Sequence, residues 1–258
     1  MSAPLLQATG LGKRFGGLQA VNAVDMQVGV GEVVGLIGPN GAGKTTLFNM
    51  LAGSMAPSTG QLLFAGQDCT GHSAHHMATL GMARTFQITS VFAHLSVWDN
   101  VLAATYRHQS AHWLSAVFKT PFYRAEQAAM QQRTEDALRQ AHLLHRCDDS
   151  AQSLPYGEQR KLEIAIALAS APHLLLLDEP AAGMNPEEGA KLVQLIHSLR
   201  DQGMSVLLVE HHMRVVMGVC DRVVVLSSGE KIAEGTPHDV VQHPEVIRVY
   251  LGREAVHA

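Results

Sequence analysis

The sequence predicts an α/β fold in which a parallel β-sheet is joined by a small antiparallel sheet and carries an inserted helical segment. Between residues 5 and 64, short apolar runs alternate with glycine and polar turns, which is typical of a mostly antiparallel sheet. From about residue 90 the pattern is helical, and after residue 158 helices alternate with apolar strands. Strands joined by crossover helices favour a parallel sheet.

The predicted elements follow in chain order. A strand at residues 32–37 leads into a glycine-rich turn and then an apolar helical run at residues 47–51. In the helical middle third, Ser96 with Asp99 predicts a capped helix start, and a longer amphipathic run follows. The remaining predicted elements are the amphipathic run at 124–144, helices at 158–169 and 187–200, and strands at 174–177, 206–209 and 223–226.

The helix predicted at 187–200 has well-marked ends. Asn185 is placed as its N-cap, Pro186 at its first position and Glu188 at its third, and Gly203 lies just past its end. A further helix start at Thr236 opens a C-terminal helical tail.

Composition and charge exclude several classes of function. The chain has 258 residues and a formal net charge of -4, and its 19 Lys and Arg are scattered among 23 Asp and Glu. No long basic stripe is available for a nucleic-acid backbone, so we expect no nucleic-acid partner. The most apolar stretch, residues 164–177, is interrupted by Pro172 and His173, and the N-terminus lacks the pattern of a secretory signal. We therefore expect a cytoplasmic protein whose three widely spaced cysteines are reduced.

A phosphate-binding loop is predicted between the strand at 32–37 and the following helix. Gly38, Gly43, Lys44 and Thr45 have the required spacing. The glycines allow backbone N–H groups to converge on phosphate oxygens, and the helix start adds its positive dipole end. We expect Lys44 to reach the β- and γ-phosphates and the Thr45 hydroxyl to ligate Mg²⁺. The predicted loop residues are Gly38, Pro39, Asn40, Gly41, Ala42, Gly43, Lys44, Thr45 and Thr46.

The acidic partner of this loop is predicted at the end of the apolar run 174–177. Asp178 and Glu179 follow that run directly. In open α/β sheets, ligands lie beyond the carboxyl ends of such buried strands. We expect Asp178 to reach Mg²⁺ through its water shell, and Glu179 to accept a proton from the water that attacks the γ-phosphate.

Further motifs, in order and spacing, resemble those of the ABC ATPases over essentially the whole chain. The segment Ser153-Leu154-Pro155-Tyr156-Gly157-Glu158-Gln159 resembles the Leu-Ser-Gly-Gly-Gln signature. Gln87 resembles the Q-loop glutamine, residues 182–185 occupy the D-loop position, and His211 resembles the switch histidine. Phe15 lies where the family places an aromatic side chain against adenine.

This resemblance implies a site shared between two subunits. The helix start around Ser153, Pro155, Tyr156, Gly157 and Glu158 would cap the γ-phosphate of ATP held by a second ATPase subunit. Gln87 would contact Mg²⁺ and relay the state of the γ-phosphate to the helical lobe. The lobe surface at residues 91–100 would receive a helix from a transmembrane permease subunit.

The resemblance also sets the expected domain organisation. We expect one ABC ATPase domain over residues 1–258, with a RecA-like core plus antiparallel β subdomain at 1–89 and 158–235. The helical subdomain with the signature is expected at 90–157, and the C-terminal tail at 236–258.

The chain departs from the family pattern at four positions. Pro155 replaces the signature serine and Tyr156 a glycine, Ile166 stands where an arginine often follows, and His212 replaces the usual aspartate after the switch histidine. We expect the backbone and Gly157 to preserve phosphate contact, with Ser153 acting in part as a helix cap.

Within the family, three segments closely resemble the LivG-type ATPase of branched-chain amino-acid importers. They are residues 156–165, residues 176–186, and the tail from residue 223 to Gly252. The resemblance implies two permease subunits, two related ATPases as a homo- or heterodimer on the cytoplasmic face of the membrane, and an extracytoplasmic binding protein. Related systems for urea or short amides, an ATPase of lipopolysaccharide export and a soluble non-transport ABC protein remain alternatives.

Overall fold

The structure, a computed structural model, describes residues 3–85, 91–106 and 120–254, with side chains up to Tyr250. The chain divides into two compact units. The first comprises Met1–Arg84 and His173–Ala258, and the second is Thr85–Pro172. The sequence-based boundaries assigned the helix at 158–169 to the core. In the structure this helix belongs to the second unit, where it packs against two helices of the described residues.

An antiparallel sheet forms one part of the first unit. Its strand order is β2-β1-β4-β5. Neighbouring strands pair antiparallel throughout, as the glycine-punctuated N-terminal pattern predicted. The strands are β1 (Leu6–Phe15), β2 (Leu18–Val28), β4 (Thr59–Phe64) and β5 (Gln67–Asp68).

A second, six-stranded sheet forms the centre of this unit, in the order β10-β9-β3-β8-β7-β6. Five of its strands run parallel, and only β10 pairs antiparallel, with β9. The strands are β3 (Val33–Ile37), β6 (Met82–Arg84), β7 (Leu174–Asp178), β8 (Ser205–Val209), β9 (Arg222–Ser227) and β10 (Glu230–Gly235). Every residue of β3, β7 and β8 is buried, which explains their continuous apolar runs.

The first unit also contains helices that flank these strands in the chain. They are α1 (Lys44–Leu51), α2 (Ala74–Thr79), α6 (Pro186–Asp201), α7 (Met213–Val219), α8 (Pro237–Gln242) and α9 (Pro244–Glu254). The predicted helix at 187–200 is confirmed as α6 with its caps: Asn185 Oδ1 accepts from the N–H groups of Glu187 and Glu188, both at 3.0 Å. In return, the Glu188 carboxylate accepts from Asn185 N–H at 2.9 Å.

The second unit, in its described part, contains α3 (Val97–Thr105), α4 (Pro121–Gln140) and α5 (Tyr156–Leu168). The helix start predicted at Ser96 is confirmed, because Ser96 Oγ accepts from Asp99 N–H at 3.0 Å. The amphipathic run predicted at 124–144 begins earlier, since Thr120 caps the helix and Pro121 occupies its first position. It also ends earlier, at Gln140.

The three cysteine thiols are free, as expected from their spacing, and two of them are buried. Burial raises the pKa of the Cys69 thiol to about 11 and that of Cys220 to about 12. These two thiols therefore stay protonated at neutral pH and act as packing residues. Within the described residues, no helix has both the length and the apolar character needed to cross a bilayer.

The cap of α6 generates a stability prediction. Asn185→Ala removes the acceptor of two helix-start N–H groups and should lower the free energy of unfolding by about 1 kcal/mol. Asn185→Asp keeps an acceptor and should restore most of that loss. Urea unfolding of the two variants provides the measurement. Gln194→Ala, an exposed change within the same helix, is the control and should stay within about 0.5 kcal/mol of wild type. Equal stability of Asn185→Ala and wild type would contradict the role of the cap.

Candidate functional site

The predicted phosphate loop connects the buried strand β3 to α1. Gly38, Gly41 and Gly43 all have positive φ, at 151°, 80° and 96°. A Cβ on Gly38 would lie 2.2 Å from the carbonyl oxygen of Leu226, and a Cβ on Gly43 would lie 2.5 Å from that of Ala20. Only glycine fits at these two positions, so the backbone forms a tight turn that ends at the start of a helix.

Lys44 is the first residue of α1, and its ammonium group folds back over the loop. The Nζ atom donates to the carbonyl oxygens of Gly38 at 2.7 Å and Pro39 at 3.1 Å. The side chain is largely buried. No side chain caps this end of α1, so the backbone N–H groups of its first turn and the Lys44 charge meet in one place. Such an end is a ready anion site.

Asp178 ends β7 with its side chain only 4% exposed. Arg84 Nη2 donates to Asp178 Oδ2 at 3.0 Å, and Arg84 Nη1 donates to Asn49 Oδ1 at 2.7 Å. The guanidinium also lies 4.8 Å from the centre of the Phe48 ring. Arg84 thus connects the carboxylate of Asp178 to the helix that follows the phosphate loop. Sequence reasoning missed Arg84, because the strand that carries it, β6, has three residues and no detectable periodicity.

Glu179 occupies a backbone conformation that side chains rarely adopt, with φ of 47°. Its N–H donates to the carbonyl oxygen of Val209 at 2.9 Å, which fixes the turn after β7 against the end of β8. Its Oε1 lies 3.8 Å from His211 Nδ1, and the two side chains are 34% and 49% exposed. The structure therefore brings the predicted base and the predicted switch histidine together at a solvent-accessible edge.

Glu210 is a second residue that sequence reasoning missed. Its carboxylate is fully buried and lies between the loop after β7 and the segment after β8. Glu210 Oε1 accepts from Ala181 N–H at 2.8 Å, and Oε2 accepts from the N–H groups of His211 and His212, both at 3.0 Å. An acidic residue between Val209 and two histidines was the available signal, but nothing in the sequence indicated its burial.

His212 stands where the family usually has aspartate, and it completes this cluster. Its Nδ1 lies 3.1 Å from Glu210 Oε2, and its ring centre lies 4.2 Å from that of His211. Glu210, His211 and His212 each offer one possible ligand atom, and these three atoms lie within 4.8 Å of one another. Both oxygens of Glu210 accept hydrogen bonds from backbone N–H groups around it.

The segment that resembles the signature lies in the second unit, at the start of α5. Pro155 occupies the N-cap position and provides no side-chain hydrogen bond. The expectation that Ser153 caps this helix is wrong: its hydroxyl instead donates to the carbonyl oxygen of Ser150 at 2.7 Å, inside the preceding turn. Glu158 lies in the first turn of α5 and Gly157 is buried.

Tyr156 is 42% exposed, and its hydroxyl accepts from Arg160 Nε at 3.1 Å and Nη2 at 2.8 Å. The Tyr156 side chain, which stands where the family has glycine, is therefore held along the helix by Arg160, one turn later.

Two other predicted site residues have different outcomes. Phe15 ends β1 with 45% of its surface exposed, and Lys13 Nζ lies 5.4 Å from the centre of its ring. A half-exposed aromatic ring at a strand end can receive a flat ligand. Gln87, predicted as a Mg²⁺ contact, lies outside the described residues.

Comparisons with known proteins show what the chain is similar to. A family model described as "ABC transporter" matches residues 21–182, and one described as "Branched-chain amino acid ATP-binding cassette transporter" matches residues 230–256. The chain is 43% identical over 253 residues to LivG of Escherichia coli strain K12, a high-affinity branched-chain amino acid transport ATP-binding protein. That alignment covers 98% of this chain and 99% of the relative.

A less similar relative is the lipopolysaccharide export system ATP-binding protein LptB of Acidithiobacillus ferridurans. It is 40% identical over 248 residues, covering 96% of this chain and 97% of the relative. Among solved structures, an ATP-binding cassette of an ABC transporter in its ADP conformation superimposes with a TM-score of 0.85. That cassette is 28% identical, with 97% of this chain and 100% of that chain covered.

These matches confirm the predicted fold class and the resemblance to LivG-type proteins. The match to the family model and the identity to LivG each cover most of the chain. The chain therefore belongs to the ABC transporter ATP-binding family.

Proposed function

We propose that the chain hydrolyses ATP to drive an importer of branched-chain or related amino acids. The observation that carries the ATPase part is the meeting of the phosphate loop, Asp178, Glu179 and His211 in one structural unit. The import part is supported by the family match at residues 230–256 and by the similarity to LivG along nearly the whole chain.

The loop between β3 and α1 fits a polyphosphate. Gly38 and Gly43 pack against the carbonyl oxygens of Leu226 and Ala20, and this allows the tight turn whose backbone N–H groups can converge on phosphate oxygens. Lys44 now donates to the carbonyl oxygens of Gly38 and Pro39. A phosphate group would offer this ammonium a charged acceptor in place of neutral ones, which strengthens each hydrogen bond.

The proposed magnesium site uses hard-oxygen ligands, of which Gln87 lies outside the described residues. Thr45, Asp178 and Gln87 would hold Mg²⁺, which supplies positive charge against the phosphate oxygens when bound. Arg84 holds Asp178 in line with α1 through its hydrogen bonds to Asp178 and Asn49.

Glu179 acts as the general base in this proposal. Its partly exposed carboxylate can accept a proton from the attacking water, while its backbone is held by the hydrogen bond to Val209. His211, whose Nδ1 lies 3.8 Å from Glu179 Oε1, provides a second polar group for the reacting phosphate.

The working assembly is a head-to-tail pair with a second ABC ATPase subunit, identical or related. The start of α5, with Ser153, Pro155, Tyr156, Gly157 and Glu158, would contact the γ-phosphate of ATP bound by the partner. Its uncapped N-terminal turn supports such a contact. The pair would dock under transmembrane permease subunits at the cytoplasmic face of the membrane, and an extracytoplasmic binding protein would deliver the substrate.

Lipopolysaccharide export is the strongest alternative within the family. The signature of export ATPases normally keeps Leu-Ser-Gly-Gly, whereas this chain has Leu-Pro-Tyr-Gly at residues 154–157. The lower identity to LptB and the C-terminal family match also favour amino-acid import. Uptake of urea or short amides by a related importer is the second alternative.

Nucleotide binding should depend on Lys44. Lys44→Ala removes charge-assisted hydrogen bonds of about 1.5–3 kcal/mol and should weaken binding of Mg-ATP about 10- to 100-fold. Binding of a fluorescent ATP analogue measures the effect. Lys191→Ala, on an exposed lysine of α6 paired with Glu187, removes the same charge elsewhere and should bind like wild type. Unchanged affinity in Lys44→Ala would remove the phosphate loop from the proposal.

Hydrolysis should depend on Glu179. Glu179→Gln keeps the shape of the side chain but cannot accept a proton, so kcat should fall at least about 100-fold. Binding of ATP should persist, and the variant should accumulate ATP-bound dimers in light scattering. Glu187→Gln, on an exposed carboxylate, is the matched control. Full activity of Glu179→Gln would exclude Glu179 as the base.

Transport should follow from co-expression with permease and binding-protein genes, which we expect to neighbour this gene. Purified together in proteoliposomes, the complex should accumulate labelled leucine, isoleucine or valine in an ATP-dependent manner, and Glu179→Gln should abolish uptake. The same vesicles are tested with urea and short amides. Uptake of those compounds alone, or co-purification with lipopolysaccharide-export subunits instead, would overturn the amino-acid assignment while leaving the ATPase intact.

A further inference from the structure

One buried carboxylate joins the two loops that carry the proposed base and the switch histidine. Glu210 receives a backbone N–H from Ala181, two residues after Glu179, and two more from His211 and His212. The imidazole Nδ1 of His212 lies 3.1 Å from the same carboxylate. The side chain of Glu210 has no solvent exposure.

The hydrogen bonds of Glu210 have a consistent direction. An ionised carboxylate only accepts hydrogen bonds, and each backbone partner here is an N–H donor. A buried carboxylate without partners is strongly unfavourable, so this one holds its donors in place. Three of its four hydrogen-bond partners are backbone N–H groups of the two loops, and Glu210 therefore fixes loop positions rather than one side chain.

The loop after β7 is fixed at two points as a result. The N–H of Glu179 donates to the carbonyl oxygen of Val209, and the N–H of Ala181 donates to Glu210. Between these two bonds lies the turn that places Glu179 at positive φ. The Glu179 carboxylate faces His211 across 3.8 Å, and the backbone of His211 is bound to Glu210 as well.

We propose that Glu210 is a positioning residue of the ATPase site, whose carboxylate sets the distance between Glu179 and His211 by binding both loops. This inference rests on the proposed function. It adds a requirement that the phosphate loop does not share, because Glu210 makes none of the hydrogen bonds that fix Lys44.

Glu210→Gln tests the inference with little change in shape. The amide replaces one accepting oxygen by an NH₂ group, so at least one N–H of the loops faces another donor. We expect kcat for ATP to fall about 10- to 100-fold, while KM and the affinity for ATP stay within about threefold of wild type. Glu187→Gln makes the same chemical change on an exposed carboxylate and should leave kcat unchanged. Equal kcat in Glu210→Gln and wild type would overturn the inference.

A double-mutant cycle separates positioning from general damage. If Glu210 acts through His211, Glu210→Gln should lower kcat less than about threefold in a His211→Ala background, measured by release of labelled phosphate. A structural defect would lower kcat by the same factor in both backgrounds, and that outcome would overturn the inference. Thermal unfolding of each variant confirms that the compared proteins are folded.

If Glu210→Gln does not fold, His212→Ala keeps the question open to test. It removes only the imidazole bond to Glu210 and the ring that lies against His211. The expected result is a two- to tenfold lower kcat that depends on the presence of His211, whereas a kcat equal to wild type would contradict the inference. Absence of Lys44-dependent ATPase in the wild type would instead refute the proposed function, so the two failures are distinguishable.

Discussion

The parallel pairing of β3, β8 and β7 is the constraint on which the rest of the site depends. In this register Val34 of β3 lies beside Leu207 of β8, and Leu175 of β7 lies beside Val206 of β8. Because the strands run in one direction, their carboxyl ends meet at one edge of the sheet. The phosphate loop follows β3, the acidic pair is at the end of β7, and His211 follows β8. A shift of one residue in either pairing would move the segments that follow these strands along the sheet edge and would separate the groups they carry.

Two buried carboxylates at this edge are satisfied in different ways. Asp178 pairs with the cation of Arg84, which also binds Asn49 in α1. Glu210 accepts mainly from backbone N–H groups, which belong to the two loops themselves. A side-chain cation can move when a ligand changes the local charge, whereas backbone donors can move only together with their loops. The first arrangement suits a group that meets metal and phosphate, and the second suits a fixed support.

The sequence predicted the residues whose chemistry is written in a local motif. Lys44, Asp178 and Glu179 were predicted as site residues because a glycine-rich turn lies between a strand and a helix, and because an apolar strand that ends in two acids accompanies that turn. Arg84 and Glu210 were not found, because their roles come from contacts between separate strands: Arg84 and Asp178 are 94 positions apart in the chain. The cap at Asn185 was predictable because a capping box is complete within four residues. The prediction that Ser153 caps α5 was wrong, because its hydroxyl donates to the carbonyl oxygen of Ser150 in the preceding turn.

Pro155, which stands where the signature usually has serine, is compatible with the local structure at the start of α5. Proline fits the start of a helix because its fixed φ is compatible with the entry of the chain and its missing N–H has no helical partner to lose. Here it takes the N-cap position without a side-chain acceptor, so no hydroxyl competes for the N–H groups of the first turn. An incoming phosphate would be bound by those backbone groups alone.

Glu158, in the first turn of α5, carries a negative charge that opposes such an anion. Arg146 Nε lies 3.4 Å from the Glu158 carboxylate and offsets part of that charge. In the proposed pair, contact with the partner's nucleotide would therefore depend on helix geometry and on this ion pair, rather than on the hydroxyl that the family usually provides.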